Sequence, residues 1–285
     1  MKMVLIGADG QLGTDLLKLD PALVPLTIAD LNVTERAKAE EVLTKLKPEV
    51  IINTSAYHRV DECEDDLAPA FAVNSCGARN LALIAHRIGS ALVHFSTDYV
   101  FSGEGRRPFS EDDAPDPRSV YGISKLAGEK IIQYILPEHF IVRSSGLYGT
   151  AGCLEKGKTN FVESMISRAQ SGQALRVVED EVLTPTYTLD LAKKVLEIIP
   201  RRSYGLYHVT NMGECSWFEF TKKIFELLNR KVDITPVTGE EFKSKAKRPK
   251  YSVLRHDHLK QLGIDDMRPW EQALEAYLKE KGHLK

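Results

Sequence analysis

Short apolar runs punctuate the first half of the chain at intervals that leave room for a helix between each: Val4-Leu5-Ile6, Leu26-Thr27-Ile28, Val50-Ile51-Ile52, Leu92-Val93-His94-Phe95 and Phe140-Ile141-Val142. Such runs, bounded by turn residues, suit strands covered on both faces. Between them, 34–47 carries Ala37, Val42, Leu43 and Leu46, and 68–86 carries Phe71, Ala72, Leu81, Leu83 and Ile84, at helical spacing. This rhythm predicts an α/β fold: a Rossmann-type, doubly wound parallel sheet with crossover helices.

Near Gly146 the rhythm loosens, and 149–159 reads as an irregular loop rich in Gly and Lys. Beyond it, helical patterns at 161–170, 189–198, 217–228 and 270–279 mix with strand patterns at 176–178, 205–209 and 233–236. We therefore expect a large domain over 1–149, to which some later segments return, and a smaller C-terminal α/β lobe over 150–285, with a cleft between them. Ligands of a doubly wound sheet bind outside the carboxyl ends of its strands, so chemistry is sought in the loops there.

Charge narrows the classes. Thirty-eight Lys and Arg against 40 Asp and Glu give a net charge of -2 with no long basic stripe, so nucleic acid is not an expected partner. The short basic run from Lys243 to Lys250 reads as a solvated loop or helix end, or else as a clamp on an anionic substrate. Cys63, Cys76, Cys153 and Cys215 have no metal-type or paired spacing, which predicts reduced thiols and no metal. The apolar start lacks the regions of a signal peptide, and no apolar stretch approaches the roughly 20 residues of a membrane span. A cytoplasmic chain, monomer or homodimer, is expected.

The loop after the first run is Gly7-Ala8-Asp9-Gly10-Gln11-Leu12-Gly13. Gly7 permits the tight turn, Gly10 lets the backbone approach a pyrophosphate, and Gly13 allows close helix-to-strand packing, with the phosphates at the helix N-terminus. Gly-x-x-Gly-x-x-Gly is the spacing of short-chain reductases. Asp30, 17 positions past Gly13, could accept from an adenosine ribose and lean the choice toward NADH, or simply end a strand at the surface. Asn32 and Val33 are candidates for the adenine edge.

After the fourth run comes Ser96-Thr97-Asp98-Tyr99-Val100-Phe101, and 24 positions past Thr97 stands Tyr121-Gly122-Ile123-Ser124-Lys125. Tyr121 and Lys125, four apart, share a helix face. Reducing a carbonyl needs a hydride on carbon and a proton on oxygen. A lysine cation stabilises a phenolate, so Tyr121 can serve as general acid while Thr97 holds the substrate carbonyl and Lys125 grips the nicotinamide ribose.

On these residues the chain resembles the dTDP-4-dehydrorhamnose reductases, within the extended short-chain dehydrogenases/reductases. The matching stretches are GADGQLG (7–13), NTSAYHRVDECE (53–64), AFAVNSCGARNL (70–81), STDYVFSG (96–103), YGISKLAG (121–128), Pro185-Thr186, and Arg248-Pro249 with Ser252 and Leu254. The resemblance implies NADPH or NADH as cofactor and a nucleotide-linked keto sugar as substrate. It implies that Gly10, Gln11 and Leu12 touch the pyrophosphate, that Ala56, Tyr57 and His58 line the cofactor, and that Asn74 supports the active site. It also implies that Thr97, Asp98 and Tyr99 face the sugar, with Asn160 and Arg248 beside them. Related 4,6-dehydratases carry Asp-Glu after the catalytic Thr, where this chain has Asp98-Tyr99, and epimerases commonly have a small-residue loop there. A regulatory subunit similar to the β subunit of methionine adenosyltransferase is the rival from another class.

The chain also departs from the pattern. The stretch 150–159 is longer than the family's passage, which is either a solvent loop or a change of sugar specificity. His58 and Arg59 replace smaller residues, and Asp15 stands where some members carry a metal-joining Glu without a matching carboxylate set here. His94 is expected to be a packed strand residue, Trp217 and Trp270 core anchors, and Asp190 and Glu197 helix surface.

Overall fold

The computed structural model describes residues 1–152, 157 and 159–285; Cys153 and four more residues of the irregular 149–159 passage, 154–156 and 158, lie outside the described residues. Five parallel strands, β1 (Met3–Ile6), β2 (Val24–Leu26), β3 (Val50–Asn53), β4 (Ala91–Thr97) and β5 (His139–Ser144), form one sheet with a sixth strand, Gly205–His208. Across the sheet the order is β2, β1, β3, β4, β5 and then Gly205–His208. Connections run outward in both directions from the β1/β3 pair, so the ligand crevice of a doubly wound sheet opens there.

The strands alternate between two cores. Met3 and Leu5 of β1, Val50 and Ile52 of β3, and Val93 and Phe95 of β4 face one side, where Leu12 and Leu16 of α1 (Gln11–Leu19) and the apolar face of Thr188–Ile198 cover them. Val4, Ile6, Ile51, Leu92 and Ile141 face the other side, under α2 (Arg36–Leu46) and the helices Ala78–Ile88 and Val120–Ile135. Both faces are dry, which is why these strands read as unbroken apolar runs. A third core, around Tyr148, Tyr187, Phe220 and Trp270, belongs to the C-terminal part of the chain.

Local differences from the sequence reading have physical causes. β2 ends at Leu26, and Ile28 is 73% exposed, because Asp30 captures the Thr27 amide and hydroxyl and turns the chain. The helix expected over 68–86 runs on to Ile88 but is π-helical from Phe71 to Gly77. Asp190, expected on the surface, is buried: its carboxylate takes two bonds from Arg268 at 2.7 Å and one from the Asn211 amide. Trp270 packs edge-on against Phe220 in the third core, and Trp217 stacks obliquely on Phe161.

Helix Val120–Ile135 is anchored from below by a buried pair. Arg143 of β5 donates from Nε and Nη2 to the two oxygens of Glu129, at 2.9 and 2.6 Å, and lies over the Phe101 ring. Both side chains are almost wholly inaccessible, at 2% and 0% exposure. A bidentate geometry offsets the desolvation of the two charges, and removing one leaves the other stranded. Glu129→Leu should therefore destabilise the fold by about 3–5 kcal/mol in urea unfolding; a loss below about 1 kcal/mol would show that Arg143 finds solvent or another partner.

Candidate active site

The loop after β1 has the geometry of an anion cradle. Gly7 adopts φ +79°, and a side chain there would press on Thr54 Oγ1. A Cβ at Gly13 would overlap the Gly7 carbonyl oxygen, so the helix can seat this close only with glycine. A Cβ at Gly10 would meet only the Gly7 oxygen, at 3.3 Å, so space lies open over the N-terminus of α1. Gly10 caps that helix without a side-chain bond, leaving first-turn N–H groups for an external acceptor. These residues fit a dinucleotide pyrophosphate. Leu12 points into the core, so it offers its backbone, and Gln11 Oε1 accepts from the Gly149 amide at 2.9 Å.

The adenosine-side candidates sit differently from one another. Asp30 is exposed, and its two bonds from Thr27 hold the carboxyl below the usual range. Asn32 Oδ1 accepts from the Thr34 amide and hydroxyl, while its amide reaches Glu35. Val33 is buried against Gly77 and gives its carbonyl to Asn80, so its side chain serves the core.

Asn74 joins three segments. From within the π-helical stretch its Oδ1 accepts the Tyr57 amide, and its Nδ2 donates to the Tyr57 carbonyl and to Ser124 Oγ, each at 2.9 Å. The loop after β3, with Ala56, Tyr57 and His58, is thereby tied to the helix that carries Tyr121 and Lys125. Ser119 caps that helix, accepting from the Gly122 amide. Gly122 and Gly128 let it press on the Tyr99 and Asn74 carbonyls, which a Cβ at either position would overlap.

Tyr121 is half-buried at the start of this helix, its ring meeting Tyr99 edge-on at 5.7 Å. One turn on, Lys125 is only 2% exposed, and its ammonium donates to the Phe95 carbonyl at 2.6 Å. Burial pulls its pKa down to about 8, against the opposing pull of Glu129. His94 is packed inside β4 as expected, and it also touches this group. Asn53, whose Oδ1 is committed to Ser55, donates its amide to His94 Nδ1 at 3.1 Å. The proton of the neutral ring therefore sits on Nε2, facing Lys125 Nζ at 3.5 Å. Burial, then Lys125, holds His94 far below its ordinary pKa, so the ring stays neutral.

Thr97 ends β4 with its hydroxyl donating to Asp98 Oδ1 and accepting from the Tyr99 amide. Asp98 is turned inward: its Oδ2 accepts the hydroxyls of Ser145 at 2.7 Å and Ser252 at 2.6 Å. Desolvation raises its pKa, and the carboxylate acts as the internal brace of the 97–101 turn rather than as a group presented to the cleft. Asn160 is likewise internal, capping helix Phe161–Gln170 and donating to the Gly149 carbonyl and Tyr277 Oη. Arg248, half-buried, reaches Asp61 Oδ2 at 2.9 Å near Tyr99. Thr97, Tyr99, Tyr121, Lys125 and Arg248 thus converge at one end of the sheet, beside the loops after β1 and β3. Sequence reasoning missed Glu181, a buried acid beside Arg248 and Tyr99, because one carboxylate in an acidic turn carries no pattern.

Comparison with known proteins follows the same lines. The RmlD substrate binding domain family matches residues 1–282. The spore coat polysaccharide biosynthesis protein SpsK of Bacillus subtilis is 40% identical over 98% of each chain. A crystal structure described as dTDP-4-dehydrorhamnose reductase from Bacillus anthracis in complex with NADP is 40% identical, with a TM-score of 0.94 over 98% of this chain and 100% of that one. One described as a dTDP-4-dehydrorhamnose reductase from Clostridium acetobutylicum is also 40% identical, with a TM-score of 0.93 over 98% and 99%.

Lys125 generates a stability signature of its own. Its folded pKa of about 8 lies below the ordinary 10.5, so the folded state gives up this proton first. Its contribution is fully present above pH 10.5 and is lost as pH falls through about 8. Between those limits the wild type should gain stability with rising pH relative to Lys125→Met, by up to about 1.4 kcal/mol for each pH unit crossed. Parallel stability curves in denaturant melts would show that the ammonium is not desolvated.

Proposed function

The chain belongs to the RmlD substrate binding domain family, and on that premise we propose that it reduces the C4 keto group of dTDP-4-dehydro-L-rhamnose to give dTDP-L-rhamnose. It is an NAD(P)H-dependent oxidoreductase of nucleotide-sugar keto groups. The observation that carries the reading is the convergence of Thr97, Tyr121 and Lys125 beside the Gly7–Gly13 cradle. In this reading residues 1–149 hold the dinucleotide and the segments after 150 cover the sugar.

The cradle and the α1 N-terminus hold the pyrophosphate, and Ala56, Tyr57 and His58 line the cofactor from the loop that Asn74 secures. When bound, the nicotinamide supplies hydride equivalents. The protein supplies the rest. Thr97 Oγ1, fixed at the end of β4, turns its one hydrogen from Asp98 to the carbonyl oxygen and so orients it, and Tyr121 Oη delivers a proton to that oxygen. Lys125 places a positive charge one turn below, where it favours the phenolate that remains and can reach a ribose hydroxyl with the donors not engaged by Phe95. The edge-on ring of Tyr99 covers one side of the half-buried phenol.

Tyr121→Phe should lower kcat by about 100-fold or more, while NADPH binding, followed by fluorescence, stays near wild type. The substrate is freshly generated dTDP-4-dehydro-L-rhamnose, with NADPH and NADH in separate assays. Full turnover by the variant would remove Tyr121 from the proton step. Cofactor binding by the wild type with no turnover of any keto sugar would favour the regulatory alternative.

A further inference from the structure

Two charged groups beside the cleft have no part in the reduction derived above. Arg248 commits Nη2 to Asp61, but its Nη1 is buried and has no hydrogen-bond partner among the described residues. Glu181 is 8% exposed, and among the described residues its carboxylate takes no hydrogen bond and closes no ion pair, not even with Arg248. Leaving the buried Arg248 N–H unmatched costs free energy unless something else completes it, and the Glu181 carboxylate, which lies against Gly239 and keeps some access to solvent, is open to a donor from outside the protein.

Their placement says what that is. Both groups act electrostatically on Tyr99, whose ring meets the edge of Tyr121. The backbone fixes them there: the Val182 amide donates to the Lys250 carbonyl, the Ser252 amide donates to the Val182 carbonyl, and Ser252 Oγ reaches Asp98. Glu181 and Arg248 are therefore held by the same strip that braces the Thr97–Phe101 turn. Beyond the reacting carbonyl, a keto sugar presents ring hydroxyls along one edge. Each can donate and accept at once, which is what an unmatched carboxylate beside an unmatched guanidinium N–H requires.

We propose that Glu181 and Arg248 clasp the hydroxyl-bearing edge of the sugar ring, Glu181 accepting from a hydroxyl next to the keto carbon and Arg248 Nη1 donating to it or its neighbour. This inference rests on the reading of the chain as a nucleotide-sugar keto reductase. It makes Glu181 a specificity-determining residue that selects sugars keeping that hydroxyl over deoxy sugars, because a deoxy ligand leaves both protein groups bare. Burial lifts the Glu181 carboxyl to about 7, with Arg248 opposing and Asp180 and Asp61 adding to the rise. Arg248, Asp180, Asp61 and Tyr99 are the groups that face it, so acceptance should strengthen as pH rises through that value.

The test compares the full-length wild type, Glu181→Ala and Glu181→Gln on a dTDP-4-keto-6-deoxy sugar and on its 3-deoxy counterpart. In wild type, kcat/KM should favour the hydroxylated sugar by about 10- to 100-fold. In Glu181→Ala that preference should collapse through KM, with kcat within about threefold and NADPH affinity unchanged. Glu181→Gln keeps an acceptor oxygen and should restore part of the preference while losing the pH dependence of KM around neutrality. Equal losses on both sugars, or an unchanged preference in Glu181→Ala, would overturn the clasp. Calorimetry with dTDP-L-rhamnose and with dTDP alone separates this from the parent reading. If wild type turns over neither sugar, the reductase reading fails. The clasp then still predicts that Glu181→Ala weakens binding of the sugar nucleotide and not of dTDP, and equal binding sinks it as well.

Discussion

The site depends on how deeply one helix is seated. Val120–Ile135 lies so close to its neighbours that a methyl group at Gly122 or Gly128 would collide with a backbone oxygen of Tyr99 or Asn74. Packing at that distance sets the edge-on contact between Tyr121 and Tyr99, and it brings Lys125 onto the Phe95 carbonyl. Ser119 fixes where the helix begins, and the Arg143–Glu129 pair fixes its far side against β5. Proton transfer needs its donor placed to within a fraction of an ångström, and two glycines with one buried ion pair provide that placement.

Much of this was legible in the chain. Apolar runs located the sheet, because strands dry on both faces cannot alternate with polar residues. The glycines of the first loop and the Tyr121/Lys125 spacing marked the crevice, because tight turns and shared helix faces leave fixed intervals. Other features left no such trace. Asp98 reads like a cleft residue from its neighbours Thr97 and Tyr99, yet it is turned inward by hydroxyls contributed from Ser145 and Ser252, far along the chain. Asp190 looked like helix surface until Arg268 and Asn211 closed over it. Asn160, too, is spent on Gly149 and Tyr277. In each case the deciding partner is distant in sequence, and periodicity is blind to it.

The polar interior at the carboxyl edge of the sheet is divided by function. Groups that hold the frame, such as Asp98, Glu129, Arg143 and Asn74, have their hydrogen bonds filled by other parts of the chain. Groups that border the cleft are kept short of partners or in an uneasy protonation state. Lys125 faces an imidazole N–H, and among the described residues one Arg248 nitrogen has no hydrogen-bond partner. A ligand that completes such a group binds partly by relieving its mismatch.

The π-helical segment from Phe71 to Gly77 makes the length of the chain, as well as its composition, part of the active site. Such a segment carries a residue more than an α-helix of the same rise, and that surplus turns Asn74 toward Tyr57 and Ser124. Taking one residue out would regularise the helix and swing every side chain on one side of the cut by about 100° relative to the other, carrying the asparagine off its three partners. Substitutions around it can be absorbed one side chain at a time, whereas a single-codon deletion would be felt as a rotation. In lineages that share this architecture, the spacing between this asparagine and the flanking helix turns is therefore expected to drift far less than the residues that occupy it.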